Sequence, residues 1–542
     1  MKTLGLRDII GPIMVGPSSS HTAGALRIAR MARNLCAAPP RAVTFRLLGS
    51  FAHTLSGHGT DRALVAGMLG LDADDLRIRD SFSLAREEGL AFSFEPDAKA
   101  AFEHPNTVVA RIEDAAGEQM VVRGESIGGG AAVIRSIDGI DVYITGESTS
   151  VVVRQRDERG VLAHIAKTIG DAGVNIATAR LYRTRRGDTA YTVLETDQGI
   201  GAQVKAAIEA HPAIYDVRVI PGESTGEAEC GTGAQGIPAD ADTALTRFDA
   251  LDFATGSALI SLCEEQEVPI SQVLLTRERA LAESRGERFD ARAYLARALE
   301  VMREAATRPL AEPAPSLGGL IGGEAARMGA LAQRGGGVCD GVLARASLYA
   351  TAVLETNAAM GRIVAAPTAG SAGVVPGVLL ALGETRGFTD EELARGLATA
   401  AAVGLIITRN ATVAGAEGGC QAEIGSAAAM AAAAACELAG GTPAQCLDAA
   451  GNALTNMMGL VCDPIAGLVE VPCQKRNAAG AACALVSAEI ALAGVGNLVG
   501  FDETVEAMYQ VGRALPFELR ESALGGIAAA PSACAWCAAR AQ

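Results

Sequence analysis

Aromatic side chains are scarce in this chain: 4% of 542 residues, with one tryptophan. A core built without large rings must close on small side chains, and 49% hydrophobic content with 63 glycines predicts tightly apposed helices. Lysine is scarcer still. After Lys205 the only one is Lys475, with no Gly-rich phosphate loop around it, which argues against a pyridoxal phosphate Schiff base. Positive charge is not in excess. A net charge of −16 excludes the usual nucleic-acid and anionic-membrane partners. No apolar run reads as a membrane span: Ile363–Gly383 carries no charge, yet Pro and Gly interrupt it, predicting a buried loop and helix. Met1-Lys2-Thr3 leads into Arg7 and Asp8 rather than an apolar stretch, so no export signal is expected and the location expected is cytoplasmic. No compact C-x2-C-x2-C run is present. The twelve cysteines are scattered and read as reduced thiols or metal ligands.

What is present falls into segments. Residues 1–145 mix strand and helix signals: TFRLLGSFAH and VVARIEDAAG are β-like, and TDRALVAGMLGL is helical. From Val151 to about Ile220 the order is βαββαβ, a small ferredoxin-like unit. GESTGEAECGTGAQGIPADAD has almost no apolar bulk and reads as a linker. From about Thr243 onward helical patterns dominate. The fold class expected is therefore multidomain: an α/β N-terminal domain, a ferredoxin-like domain and a mainly α-helical C-terminal domain.

Three cysteines stand out: Cys420 in EGGCQAEIG, Cys462 in GLVCDPIAG and Cys473 in VEVPCQKRN. Glycine and proline beside each let the backbone turn around a bulky ligand, as an iron–sulfur cluster needs. A four-iron cluster on three thiolates leaves one iron open as a Lewis acid, able to take a hydroxyl from a substrate. Taken alone, the spacing of these residues favours buried structural thiols, since free cysteine is a common core residue. Cys436, Cys446 and Cys483 lie in Ala-rich helical runs and read as core residues. Cys534 and Cys537, near the end, fit a tail ligand, a redox pair or neither.

Several motifs together resemble the iron–sulfur L-serine dehydratases. They are GPSSSHTAGALR (16–27), LLGSFAHTLSGHGTDRA (47–63), HPNT (104–107), SIGGG (126–130), LETNAAMGRIVAAPTAGSAGVVPG and the three cysteine motifs. The resemblance implies a beta-type α/β domain over 1–146, an ACT domain over 147–221, a linker over 222–242 and an alpha-type iron–sulfur domain over 243–542. It implies conversion of L-serine to pyruvate and ammonia through aminoacrylate, with Cys420, Cys462 and Cys473 holding a [4Fe–4S] cluster. Among six histidines, His58 is the expected Cα-proton base and His21 the second candidate, both in Gly/Ser-rich loops. His53 is read as a strand position, and His164 and His211 as solvent-facing. Ser18, Ser19, Ser20 and Thr22 offer donors to a carboxylate or cap a helix near Ala23. Thr368, Ser371, Asn357 and Lys475 are further substrate contacts expected. In the ACT region Gly160 and Asn175 are the candidate regulatory contacts. The substrate expected is L-serine, with no nucleic acid, no membrane and a homodimer. A cysteine desulfidase or related iron–sulfur dehydratase is the alternative within enzymes, and an amino-acid and iron–sulfur sensor the alternative outside them.

Overall fold

The computed structural model describes residues 3–55, 57–222 and 241–540. The expected linker, 222–242, lies almost wholly outside the described residues.

Leu6, Ile9 and Ile10 are fully buried, and they are buried among the C-terminal helices rather than in the α/β region that follows. Leu6 N donates to Glu278 Oε2 (2.8 Å), and Tyr294 Oη donates to the Ile10 carbonyl (2.5 Å). Next, β1 (Ile13–Val15) pairs antiparallel with β12 (Arg362–Val364), the strand just before the PTAGSAG loop. The first residues of the chain thus stitch the two halves together.

The α/β region holds β2 (Pro40–Leu48), β3 (Ala91–Asp97), β4 (Asn106–Asp114), β5 (Gln119–Gly128), β6 (Ala131–Ile137) and β7 (Ile140–Ile144). They form one sheet in the order β3-β2-β4-β5-β6-β7, with β2/β3 parallel and the other neighbours antiparallel. Alternation along β2 buries Val43, Phe45 and Leu47 against the helices Ala25–Leu35 and Thr60–Leu69. Those helices approach closely at Gly67, where a Cβ would stand 2.4 Å from the Leu26 carbonyl oxygen. The β-like reading of TFRLLGSFAH holds only to Leu48. Gly49, at φ +56°, has no room for a Cβ, which would stand 2.5 Å from the Pro105 carbonyl oxygen, and a helix Gly49–Thr54 begins there. His53 is therefore an exposed helical residue, not a strand position.

The next sheet comprises β8 (Thr149–Arg156), β9 (Ile176–Arg183), β10 (Thr189–Thr196) and β11 (Ile214–Ile220), in the order β11-β8-β10-β9 and antiparallel throughout. With the helices Val161–Asp171 and Ala202–Glu209 it completes the βαββαβ unit. Val151, Val153 and Leu194 face those helices. Val152, Tyr191, Val193 and Ile220, on the other face, join the core of the N-terminal α/β region. Contrary to expectation, His164 and His211 are half-buried: their rings lie 5.1 Å apart, and His164 Nε2 is 3.2 Å from the Ala207 carbonyl.

The C-terminal half is helical. Its centre is Ser426–Leu438, whose residues 427 to 434, alanine except for Met430, are buried beneath the helices Asp390–Asn410, Val374–Arg386, Pro443–Met457 and Cys473–Leu492. Alanine lets the axes approach, and glycine brings backbones into contact: a Cβ on Gly373 would sit 2.4 Å from the Ala350 carbonyl oxygen. The uncharged run after Ile363 forms β12, a loop and the buried start of Val374–Arg386. Among the described residues no helix is long and apolar enough to cross a membrane.

Candidate metal centre and active site

Each of the three cysteines sits where backbone chemistry favours a thiolate or a sharp turn. Cys420 follows Gly419 (φ +76°) and stands at the start of the wide turn Gln421–Gly425, which runs into the central helix. Cys473 is the first residue of Cys473–Leu492, directly after Pro472. The N-terminus of that helix favours negative charge at Cys473, in opposition to its burial. Cys462 lies in a loop held by Arg520 and its neighbours: its N–H donates to the Leu519 carbonyl and its carbonyl accepts from Glu521 N–H, both 2.8 Å. All three are buried.

The thiols converge. The Cys420 and Cys462 sulfurs and a Glu423 carboxylate oxygen lie within 4.8 Å of one another. A hydrogen bond from the Cys462 thiol to Cys420 and then burial push Cys462 well up. Burial and then Cys420 do the same to Cys473. One turn into its helix, Arg476 gives Nη1 to Cys420 Sγ (3.5 Å) and the Val461 carbonyl (2.7 Å), and Nη2 to Asp463 (2.8 Å). Asn477, fully buried, donates to the Gly370 and Cys473 carbonyls and accepts from Gly373 N–H. Lys475, between these helical turns, is exposed and is not brought to the site.

Glu423 was not singled out by the sequence, although its place three residues after Cys420 on one helical turn signals a shared face. Thr368 Oγ1 donates to Glu423 Oε1 (2.7 Å), and glycines 370 and 415 leave room for the carboxylate. Burial raises Glu423. Burial and then Glu423 raise Glu521 to about 8. Cys420, Cys462 and Glu423 meet directly, Cys473 and Glu521 lie within electrostatic reach of them, and Arg476 is the cation in contact with Cys420 and Asp463. Soft sulfur donors, which bind metal as thiolates once their protons are displaced, fit an iron–sulfur group.

The PTAGSAG loop covers one side. Ser371 Oγ lies 3.1 Å from Thr368 Oγ1, and Asn357 Nδ2 donates to the Ala369 carbonyl (2.8 Å). Asn357 Oδ1 is buried with no partner among the described residues.

The N-terminal half supplies the other side. Ser18 Oγ accepts from His21 N–H (3.1 Å) and so opens the turn Ser19–Gly24, before the helix Ala25–Leu35. Ser19 is buried, and the Ser20 carbonyl accepts from Ser126 Oγ of the SIGGG motif (2.7 Å). Thr22 Oγ1 donates to the His58 carbonyl (2.7 Å). His21 and His58 meet edge to face with ring centroids 4.5 Å apart, and His21 Nε2 lies 2.8 Å from Ser50 Oγ. Burial, then His58, holds His21 well below the usual imidazole range. Burial pushes His58 down to about 4. His58 Nε2 hydrogen-bonds the carbonyl of Gly467, in the loop between Cys462 and Cys473. Its Nδ1 is buried without a partner among the described residues. A neutral ring donating through Nε2 has its lone pair on Nδ1, the state a proton acceptor needs.

Comparison with known proteins decides the kinship. The family model described as the serine dehydratase beta chain matches residues 8–136, that of the ACT domain 149–213, and that of the serine dehydratase alpha chain 265–528. A Bacillus subtilis protein named "Probable L-serine dehydratase, alpha chain" is 46% identical over 280 residues, covering 52% of this chain and 92% of its own.

The chain belongs to the serine dehydratase family.

The L-serine dehydratase beta chain of Peptoniphilus asaccharolyticus matches the other half: 40% identity over 201 residues, 37% of this chain and 90% of that one. The L-serine dehydratase of Streptomyces coelicolor aligns at 29% over 542 residues, 95% of this chain and 96% of its own, so it shares the fused order. The chain is accordingly an enzyme of the lyase class, and the βαββαβ unit is its ACT domain.

Other residues expected to matter lie elsewhere. His104 Nδ1 accepts from Asn106 N–H (3.2 Å). Cys436 and Cys446 are fully buried, Cys483 is half-buried, and Cys534, on the final helix Pro531–Arg540, is exposed. In the ACT domain, Gly160 (φ +91°) has open space around it, and exposed Asn175 gives Nδ2 to Asp197 (2.6 Å).

Proposed function

We propose that this serine dehydratase is an L-serine ammonia-lyase that makes pyruvate and ammonia, with a [4Fe–4S] cluster held by Cys420, Cys462 and Cys473. The observation that carries this reading is the tie between two halves of one site: the buried Cys420 and Cys462 thiols meet beside Glu423 with Cys473 in electrostatic reach, and His58 is bonded to the loop between Cys462 and Cys473. Bound there, the cluster supplies a Lewis-acidic iron for the substrate's hydroxyl. His58 takes the Cα proton on Nδ1, and its low pKa keeps it neutral at physiological pH. The turn of Ser18, Ser19, Ser20 and Thr22 receives the carboxylate, with His21 packed against the base as its positioning partner. Thr368 and Ser371 flank the substrate from the opposite loop, and Asn357 Oδ1 accepts from its ammonium. Thr368 also fixes Glu423 beside the thiols. Lys475, being exposed, has no part in this reading.

In this proposal the chain comprises a beta-type domain over 1–146, the ACT domain over 147–221, a linker over 222–242 and an alpha-type domain over 243–542, and it works in the cytoplasm. The test is turnover by anaerobically purified protein on L-serine, L-threonine and L-cysteine, following pyruvate, 2-oxobutyrate and sulfide. Pyruvate from L-serine as the fastest product is the expected result. Sulfide from L-cysteine outrunning it would identify a desulfidase instead.

A further inference from the structure

Glu423 meets two of the proposed cluster ligands directly. One of its carboxylate oxygens and the Cys420 and Cys462 sulfurs all lie within 4.8 Å of one another. Glu423 lies in the wide turn Gln421–Gly425 that starts after Cys420, so thiol and carboxylate leave the same turn of backbone. Cys462 comes from a distant loop and closes on both. Two glycines leave the carboxylate its space. A Cβ on Gly370 would stand 3.0 Å from Oε1, and one on Gly415 would stand 2.7 Å from Oε2 and 3.4 Å from Cys462 Sγ. Oε2 and Cys462 Sγ therefore border the same gap.

The two oxygens differ. Oε1 accepts from Thr368 Oγ1 (2.7 Å), and Thr368 is braced by Ser371 Oγ at 3.1 Å. Oε2 accepts no hydrogen bond among the described residues, and no ion pair among them reaches this carboxylate. Arg476 is spent on Asp463 and Cys420. An enclosed carboxylate is ordinarily paired with a cation or bound to a metal. Neighbouring donors are engaged elsewhere. Asp463 accepts from Ile527 N–H (2.8 Å) and pairs with Arg476. Cys534, on the final helix, is exposed, with its Sγ 4.0 Å from the Ala528 carbonyl oxygen.

Resting on the cluster reading above, we propose that Glu423, through Oε2, is the fourth protein ligand of the cluster in the enzyme without substrate, on the iron that the three cysteines leave open. A hard carboxylate oxygen among soft thiolates marks that iron off from the other three. Substrate then has to displace Glu423. Thr368 belongs to the loop assigned to substrate and also holds Oε1, so the arrival of substrate and the release of Oε2 pass through one side chain. Tethered at Oε1, Glu423 returns when product leaves, and it keeps water off that position between turnovers.

The test is pulsed EPR on the full-length chain, assembled anaerobically with ferrous iron and sulfide, reduced by dithionite and held in water enriched in the magnetic isotope of oxygen. The parent should show no hyperfine coupling from solvent oxygen. Glu423→Ala should show a strong one, because water fills the vacated position. Thr368→Val, which keeps the carboxylate and removes its tether, should show a partial one. Ferricyanide gives a second readout: it takes one electron, one ferrous ion leaves, and the signal of a three-iron cluster appears, about tenfold faster in Glu423→Gln than in the parent. Solvent-oxygen coupling in the parent as strong as in Glu423→Ala would overturn the proposal, as would its absence from Glu423→Ala. Should Glu423→Ala assemble no cluster, coupling in the parent, or none in Thr368→Val, would overturn it alone. A parent that binds no iron would sink the cluster reading together with this one. Failure of serine turnover beside the expected spectra would bear on the proposed function and leave the ligand assignment standing.

Discussion

The buried His58 ring gives a sharp expectation for acid. The folded chain holds it neutral down to about 4, whereas an unfolded chain protonates it near 6.5. Between those pH values the unfolded state binds more protons, so this group's contribution to stability is complete above about pH 6.5 and is lost as pH falls toward 4. Its side chain is buried to 1% exposure, so solvent screening does not discount the gap. At 1.36 kcal/mol per pH unit the whole effect is about 3 kcal/mol, of which about 2 kcal/mol falls between pH 7 and pH 5. Denaturant unfolding of the parent and of His58→Gln at those two pH values should differ by that amount, the parent being the more acid-sensitive. Exchange at the imidazole C2 position, read by mass spectrometry, locates the ring's own midpoint. The rate carries the same signature: kcat/KM should show no acid limb from His58 above about pH 5. A C2-exchange midpoint at or above about pH 6, or identical acid sensitivity in parent and variant, would refute the reasoning.

Further expectations concern the two halves separately. Cys420→Ala, Cys462→Ala and Cys473→Ala should each lose iron and the broad brown absorbance of anaerobic protein, while Cys436→Ala and Cys483→Ala keep both; the reverse pattern would overturn the ligand set. His58→Ala should keep iron and fold yet lose about 10²–10⁴ in turnover and all Cα hydrogen exchange with solvent. Gly415→Ala would put a Cβ 2.7 Å from Glu423 Oε2 and 3.4 Å from Cys462 Sγ, so iron content should fall at an unchanged melting temperature. Gly67→Ala drives a Cβ to 2.4 Å from the Leu26 carbonyl oxygen and should cost about 1–3 kcal/mol in unfolding while leaving iron content alone.

Local pattern made much of this molecule readable. The βαββαβ order, the helix from Thr60 and the break in the uncharged run each follow from periodicity and from Pro and Gly placement. The three cysteines announced themselves by their Gly and Pro neighbours. Tertiary facts were harder. Leu6, Ile9 and Ile10 read as the start of the first domain, yet they are buried among helices that begin after residue 250. His53 was misread because TFRLLGSFAH carries no stop before Gly49, whose positive φ and close approach to Pro105, in a distant strand connection, are not visible in the local pattern. Lys475 and Arg476 look alike in sequence. Only the helix that starts at Cys473 decides which of them turns inward. The His58–Gly467 contact spans 409 residues, and no local pattern encodes it.

The ribbon of β1 and β12 joins Ile13 to Val364, so that the start of the chain pairs with its C-terminal half. In the Bacillus and Peptoniphilus relatives the corresponding halves are named as separate alpha and beta chains. There, the same pairing would be an encounter between two molecules, set by how much of each a cell makes. Here both strands travel on one polypeptide, so their meeting is intramolecular and independent of the concentration of the chain. Specific activity should therefore be indifferent to dilution, and equal supply of the two halves is guaranteed by translation itself.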